Sequence, residues 1–174
     1  YDITTGAHRN LTADLGVTFW NEDTDTPGLP RPYSASTWVE NEEYFLIGDR
    51  YDLWQFDPKG EKAPFMITEG LGKATNNNFK VARPIHDPKA KRTRFGNAAG
   101  PLKVGEPLYF SSFNRVTREH GFYMKDITKK KAKMVKLAEG PYNMSVSGIS
   151  LSNEYPGIAQ VGKSQKPPRK LSIP

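Results

Sequence analysis

Short extended segments punctuated by turn residues recur along this chain, and that rhythm excludes most architectures at the outset. The clearest stretch, residues 44–56, reads Tyr-Phe-Leu-Ile-Gly-Asp-Arg-Tyr-Asp-Leu-Trp-Gln-Phe. Its first part is a short apolar run of the kind carried by a strand buried on both faces. Its second part places Tyr51 and Leu53, then Trp54 and Phe56, with a phase shift near Asp52. Two strands joined by a tight turn around residues 48–51 are therefore predicted. Asp57-Pro58-Lys59-Gly60 follows, a turn in which Pro presets φ and Gly supplies a positive φ. Residues 64–68 then read as another short strand.

The same unit returns downstream. Residues 108–113 and 121–126 are predicted strands, and a Lys-rich turn leads to a further one at 134–137. Residues 79–84 fit a strand, and 157–161 lead through a Pro-containing turn to a last one at 170–172. At the start, residues 1–6 look like the second half of a hairpin leading to a strand at 10–12, so residues ahead of them are expected. Units ending near Thr12, Thr68, Leu137 and Ser172 are unevenly spaced around the ~40–50 residues of a four-stranded propeller blade. Helix signals are scarce. Residues 125–138 contain good helix formers, but their apolar positions do not settle on one stripe, and a hairpin is predicted. Residues 21–32 and 86–105 read as loops, the second with basic residues Lys89, Lys91, Arg92 and Arg94. The expected fold class is all-β: a partial β-propeller of about two to three antiparallel four-stranded blades. Its divisions are 1–12 as the end of a blade, 13–68 and 69–137 as blades, and 138–174 as a partial blade and tail.

Composition agrees with a turn-rich, packed chain. The 174 residues include 15 Gly and 14 Pro, while 3 Trp, 8 Tyr and 9 Phe supply the aromatic residues that disordered chains lack. With no cysteine, disulfides and thiolate metal sites are excluded. No stretch reaches the ~18 apolar residues of a membrane-spanning helix. The net charge is +6, concentrated at Lys125, Lys129, Lys130, Lys131, Lys133 and Lys136. Aromatic residues do not interleave these lysines as a base-stacking platform requires, so a solvated hairpin tip is expected and no nucleic-acid partner.

Chemistry-bearing residues are sparse. His8, His86 and His120 lie far apart in polar, turn-like surroundings, and no metal site is expected from them. Glu22, Asp23 and Asp25 form an acidic loop, but Gly28 is displaced from the bend of a calcium loop and no closing Glu follows. Asp49, Arg50 and Asp52 are the most informative polar group. They suit either contacts to a peptide across a channel or a structural pairing of Arg50 with a carboxylate that locks two strands. Trp38, Trp54 and Phe56 are expected between packed sheets. No catalytic residues and no cofactor are expected.

Residues 38–60, Trp-Val-Glu-Asn-Glu-Glu-Tyr-Phe-Leu-Ile-Gly-Asp-Arg-Tyr-Asp-Leu-Trp-Gln-Phe-Asp-Pro-Lys-Gly, resemble the β-propeller of prolyl-oligopeptidase-family serine peptidases, particularly dipeptidyl-peptidase-like members of the Bacteroidetes type. Asp49 to Pro58 is the specific part. Ser112-Phe113-Asn114, Gly121-Phe122-Tyr123 and Gly140-Pro141-Tyr142 are similar to the following blade, and the likeness extends from about residue 1 to 142. The resemblance implies a propeller that filters peptide substrates above a separate catalytic α/β-hydrolase domain, in a periplasmic or extracellular location. The hydrolase signature Gly-x-Ser-x-Gly is missing from this sequence. Ser145-Val146-Ser147-Gly148 lacks its first glycine, so no catalytic residue carries over. Association of copies through exposed sheet edges is a further expectation, as is a free-standing module binding peptide, glycan or protein as the alternative function.

Overall fold

The computed structural model describes residues 4–34, 37–82, 92–93, 96–97, 102–127, 129, 131–141, 143–145, 158–162 and 169–172. Residues 1–3, His86 with Lys89, Lys91 and Arg94, residues 146–148 and most of the Pro-rich tail lie outside them. The fold is all-β, as the turn-punctuated pattern requires. A first four-stranded antiparallel sheet is a simple meander of β1 (Thr37–Trp38), β2 (Phe45–Gly48), β3 (Leu53–Phe56) and β4 (Phe65–Met66). After a single helical turn, α1 (Leu71–Thr75), comes β5 (Asn77–Ala82), followed by a small hairpin, β6 (Arg92–Thr93) and β7 (Gly96–Asn97). A second four-stranded antiparallel sheet then forms from β8 (Leu108–Asn114), β9 (His120–Lys125) and β10 (Val135–Gly140), in the order β10-β9-β8-β5. Further along, β11 (Asn143–Ser145), β12 (Ile158–Gly162) and β13 (Arg169–Ser172) make a three-stranded sheet, with β11 beside β9.

The two four-stranded sheets pack face to face. Alternation on β2 and β3 sends Leu46 and Leu53 inward, where they meet Phe79, Leu108, Phe110 and Tyr123 of the second sheet, with Val39, Tyr44, Ile67 and Leu102 completing one core. Burying each large apolar side chain there stabilises by about 2 kcal/mol. The Phe79 and Tyr123 rings meet edge to face at 4.9 Å, a geometry that aromatic quadrupoles favour. Backbone hydrogen bonds also tie the connections to the sheets. Phe79 N donates to Tyr51 O at 2.9 Å, and Leu102 N donates to Trp38 O at 2.9 Å.

The other face of the first sheet is aromatic too. Phe45 stacks on Phe56 at 5.4 Å, and Phe19 meets Trp54 at 6.2 Å and Phe56 at 5.8 Å. The segment ahead of β1 thus covers this face and buries Trp54 and Phe56. None of the three aromatics expected between the sheets lies there: Trp54 and Phe56 are buried on this outer face, and Trp38 leans on Phe45 at 4.9 Å yet remains 41% exposed. Trp38 sits on an edge strand two residues long, beyond the reach of that cover. The predicted strand at 10–12 is likewise a turn, held by Asn10, whose side-chain oxygen accepts from Thr12 N at 3.0 Å. Such side-chain bonds compete with a strand ladder.

The Lys-rich segment between β9 and β10 is a hairpin connection rather than a helix. One residue, Leu137, is extra in β10, because Lys136 pairs with Tyr123 while Ala138 already pairs with Phe122. In a regular strand, residues three apart face opposite sides. The bulge cancels that alternation and brings Lys136 and Glu139 onto the Tyr123 side, where the ammonium bonds the carboxylate. Glu139 also accepts from Tyr123 Oη at 3.1 Å and from Asn77 Nδ2 at 3.3 Å.

Burial opposes the charge on Glu139, but the bonds from Lys136, Asn77 and Tyr123 outweigh it and hold the carboxyl below its usual value. Burial, reinforced by Glu139, pushes the Tyr123 phenol up, and burial likewise raises Tyr44 and Tyr109. The signs give two limbs. Stability from Glu139 is complete above the unfolded-chain value of about 4.3 and disappears as pH falls through its lower folded value. Above about pH 10 unfolded tyrosines ionise while the buried ones keep their protons, so stability falls as pH rises. Urea unfolding across pH should show both limbs, and Glu139→Gln should shrink the acid one.

Candidate recognition surface at the loop end of the sheets

Four connections gather at one end of the paired sheets: the β2–β3 turn, the α1 segment, the β8–β9 turn and the loop at 21–32. The β2–β3 turn closes because Asp49 Oδ1 accepts from Tyr51 N and Asp52 N, both at 2.7 Å, while Oδ2 accepts from Trp54 Nε1 at 2.8 Å. Asp49 is therefore fully engaged inside its own hairpin. Asp52, only 1% exposed, points away from solvent. Its carboxylate accepts from Thr68 Oγ1 at 2.6 Å, Gly72 N at 2.8 Å and Lys73 N at 3.0 Å.

The last two donors belong to the first turn of α1, whose cap position is Gly70 and has no side chain to serve them. A carboxylate from β3's approach does the work of a cap from outside the helix. Close packing enforces this geometry. A Cβ on Gly72 would lie 2.4 Å from Tyr51 O and 2.8 Å from Asn77 O, both backbone atoms.

Arg50 behaves differently from its two neighbours, because its charged end reaches the surface. Its carbonyl is fixed by Asn78 Nδ2 at 2.7 Å, and its guanidinium lies over the Tyr51 ring at 5.7 Å. Nη2 donates to Asp23 Oδ1 at 2.8 Å. The other oxygen of Asp23 accepts from Arg115 Nη2 at 2.6 Å. Arg115 comes from the β8–β9 turn, which Asn114 organises. The Asn114 Oδ1 accepts from Val116 N and Thr117 N at 2.9 Å, and its Nδ2 donates to Thr75 O at 2.8 Å. Arg115 N completes the tie to Asn76 O at 2.8 Å.

The structure thus brings Asp23 of the acidic loop together with Arg50, residues 27 apart, and with Arg115, 92 apart. Glu22 and Asp25 do not join that contact. His8 and His120 are not brought together: His120 meets Phe113 edge to face at 5.0 Å. Among the described residues no group of His, Asp and Glu is arranged to hold a metal ion, and no helix is long and apolar enough to cross a membrane.

A groove of about 260 Å³ opens beside this end, lined by Tyr33, Ser34, Thr37, Leu46, Leu53, Lys80 and Val81. Lys80 is its one charged group, and the volume falls short of the ~300–1,000 Å³ of clefts that enclose drug-sized ligands. The arginine pair is the stronger recognition element, since planar guanidinium forks match carboxylates. Comparison with protein-family models, with curated proteins and with solved structures returned no match to this chain.

Proposed function

We propose that this chain is a run of β-propeller blades serving as the non-catalytic scaffold and gate of a serine peptidase of the prolyl-oligopeptidase type. Its partners in this reading are a separate catalytic α/β-hydrolase domain of the same protein and the peptide substrate, in the periplasm or outside the cell. The observation that carries the reading is the arrangement of successive antiparallel four-stranded sheets, packed face to face through large side chains. The run resembling such propellers lies in the β2–β3 hairpin of the first sheet. The mechanism is steric: a ring of blades admits short peptides and turns away folded chains.

The test uses the full natural polypeptide and a serine-directed fluorophosphonate. Labelling of one serine outside residues 1–174, with cleavage of short peptides but not of the same sequence within a folded protein, is expected. Labelling of a serine within 1–174 would overturn the reading. A free-standing module for peptide, glycan or protein is the second reading, favoured by the paired arginines at the loop end. A reading frame without a hydrolase domain would select it.

A further inference from the structure

We propose that Arg50 and Arg115 form a carboxylate-binding site, and that Asp23 occupies it as a tethered stand-in that a peptide carboxylate displaces. The two arginines are set by framework contacts that do not involve Asp23. Asn78 holds the Arg50 carbonyl, Tyr51 underlies its guanidinium, and Asn76 and Asn114 fix the Arg115 turn.

Asp23, by contrast, arrives on a loop whose residues 22–32 are all exposed, with Leu29 at 96%. That loop anchors no apolar side chain in the core. Its backbone amides donate from Asn21 N to Arg31 O at 2.7 Å, Glu22 N to Tyr33 Oη at 3.1 Å and Asp23 N to Asn21 Oδ1 at 3.0 Å. All three lie within the loop and its own stem, so the loop can lift without disturbing either sheet.

The chemistry also leaves something for a ligand to gain. Asp23 gives one oxygen to each arginine, and the buried Arg50 Nε has no acceptor among the described residues. A carboxylate docking side-on to Arg50 would take Nε and Nη2 together, the bidentate arrangement that guanidinium favours, while remaining within reach of Arg115. An incoming carboxylate therefore exchanges a monodentate contact for a two-point one. The tethered Asp23 competes as an intramolecular ligand, lowering apparent affinity by the fraction of time the site stands open. This inference does not depend on the peptidase reading above.

Fluorescence anisotropy with dansyl-Ala-Ala tests it on the whole chain, comparing the free acid with its C-terminal amide. Weak binding of the acid to the unaltered protein is expected, rising about tenfold in Asp23→Asn. The same rise is expected when residues 22–30 are replaced by two glycines. Arg50→Gln or Arg115→Gln, added to Asp23→Asn, should abolish it, and the amide should not bind. Equal binding of acid and amide overturns the proposal. So does a folded Asp23→Asn protein that binds no better than the parent. If neither loop variant folds, Asp23 is a structural strap and the proposal falls.

Discussion

Asp52→Ala is expected to destabilise the fold by about 4 kcal/mol, because it strands two buried donors and a third that is half-buried. The Thr68 hydroxyl and the Gly72 and Lys73 amides all end on this carboxylate, and a buried donor left unmade costs about 1–3 kcal/mol. For a chain of this length the change corresponds to a fall of about 10 °C in the melting temperature. Asp52→Asn keeps the volume and one acceptor oxygen, and should lose about half as much. Thermal melts of the two variants distinguish an anchoring carboxylate from a surface charge; a loss under 1 kcal/mol for the alanine would sink this account of the turn.

Phe110→Ala is expected to cost a similar amount, about 4 kcal/mol, by a different route. The ring is 0% exposed and lies in register between Val81 on β5 and Tyr123 on β9, within the core shared by the two sheets. Truncation removes its transfer free energy and leaves a cavity that rigid sheets fill poorly. Phe110→Leu should cost about 1 kcal/mol, and Val116→Ala, on the exposed β8–β9 turn, close to nothing. Urea midpoints for the three variants should fall in that order. A comparable loss at Val116 would mean that the core does not lie between the sheets.

Local signals in the sequence located most of the strands. The alternation around Asp52 placed the β2–β3 turn, and Asp57-Pro58-Lys59-Gly60 forms the expected turn, with Gly60 at φ +67° and its amide bonded to Asp57 O at 2.9 Å. The 121–126 and 134–137 segments proved to be neighbouring antiparallel strands, consecutive in the chain and adjacent in the sheet. Trp38 was not legible, since its exposure depends on how far the segment ahead of β1 reaches. The recognition surface was legible only in part. Arg50 stood out as a cation seeking a carboxylate, but its partner lies in a loop whose only visible property was acidity. Arg115 gave no local signal at all, because its role exists only once β8 and β9 bring their turn beside α1. Asn77 and Glu139, 62 residues apart, escaped notice for the same reason.

The extra residue in β10 gives this hairpin room to change length. Removing Leu137 would close the bulge and leave Lys136 and Glu139 two apart in a regular strand. Glu139 would still pair with Gly121 on the Tyr123 side, so the Asn77 amide and the Tyr123 hydroxyl would keep their shared acceptor. Dropping a residue from the connecting tip around Lys129 or Lys131 shifts no pairing. The hairpin therefore has slack at two places, its tip and its bulge, and the loss of one residue at either leaves Glu139 beside its partners.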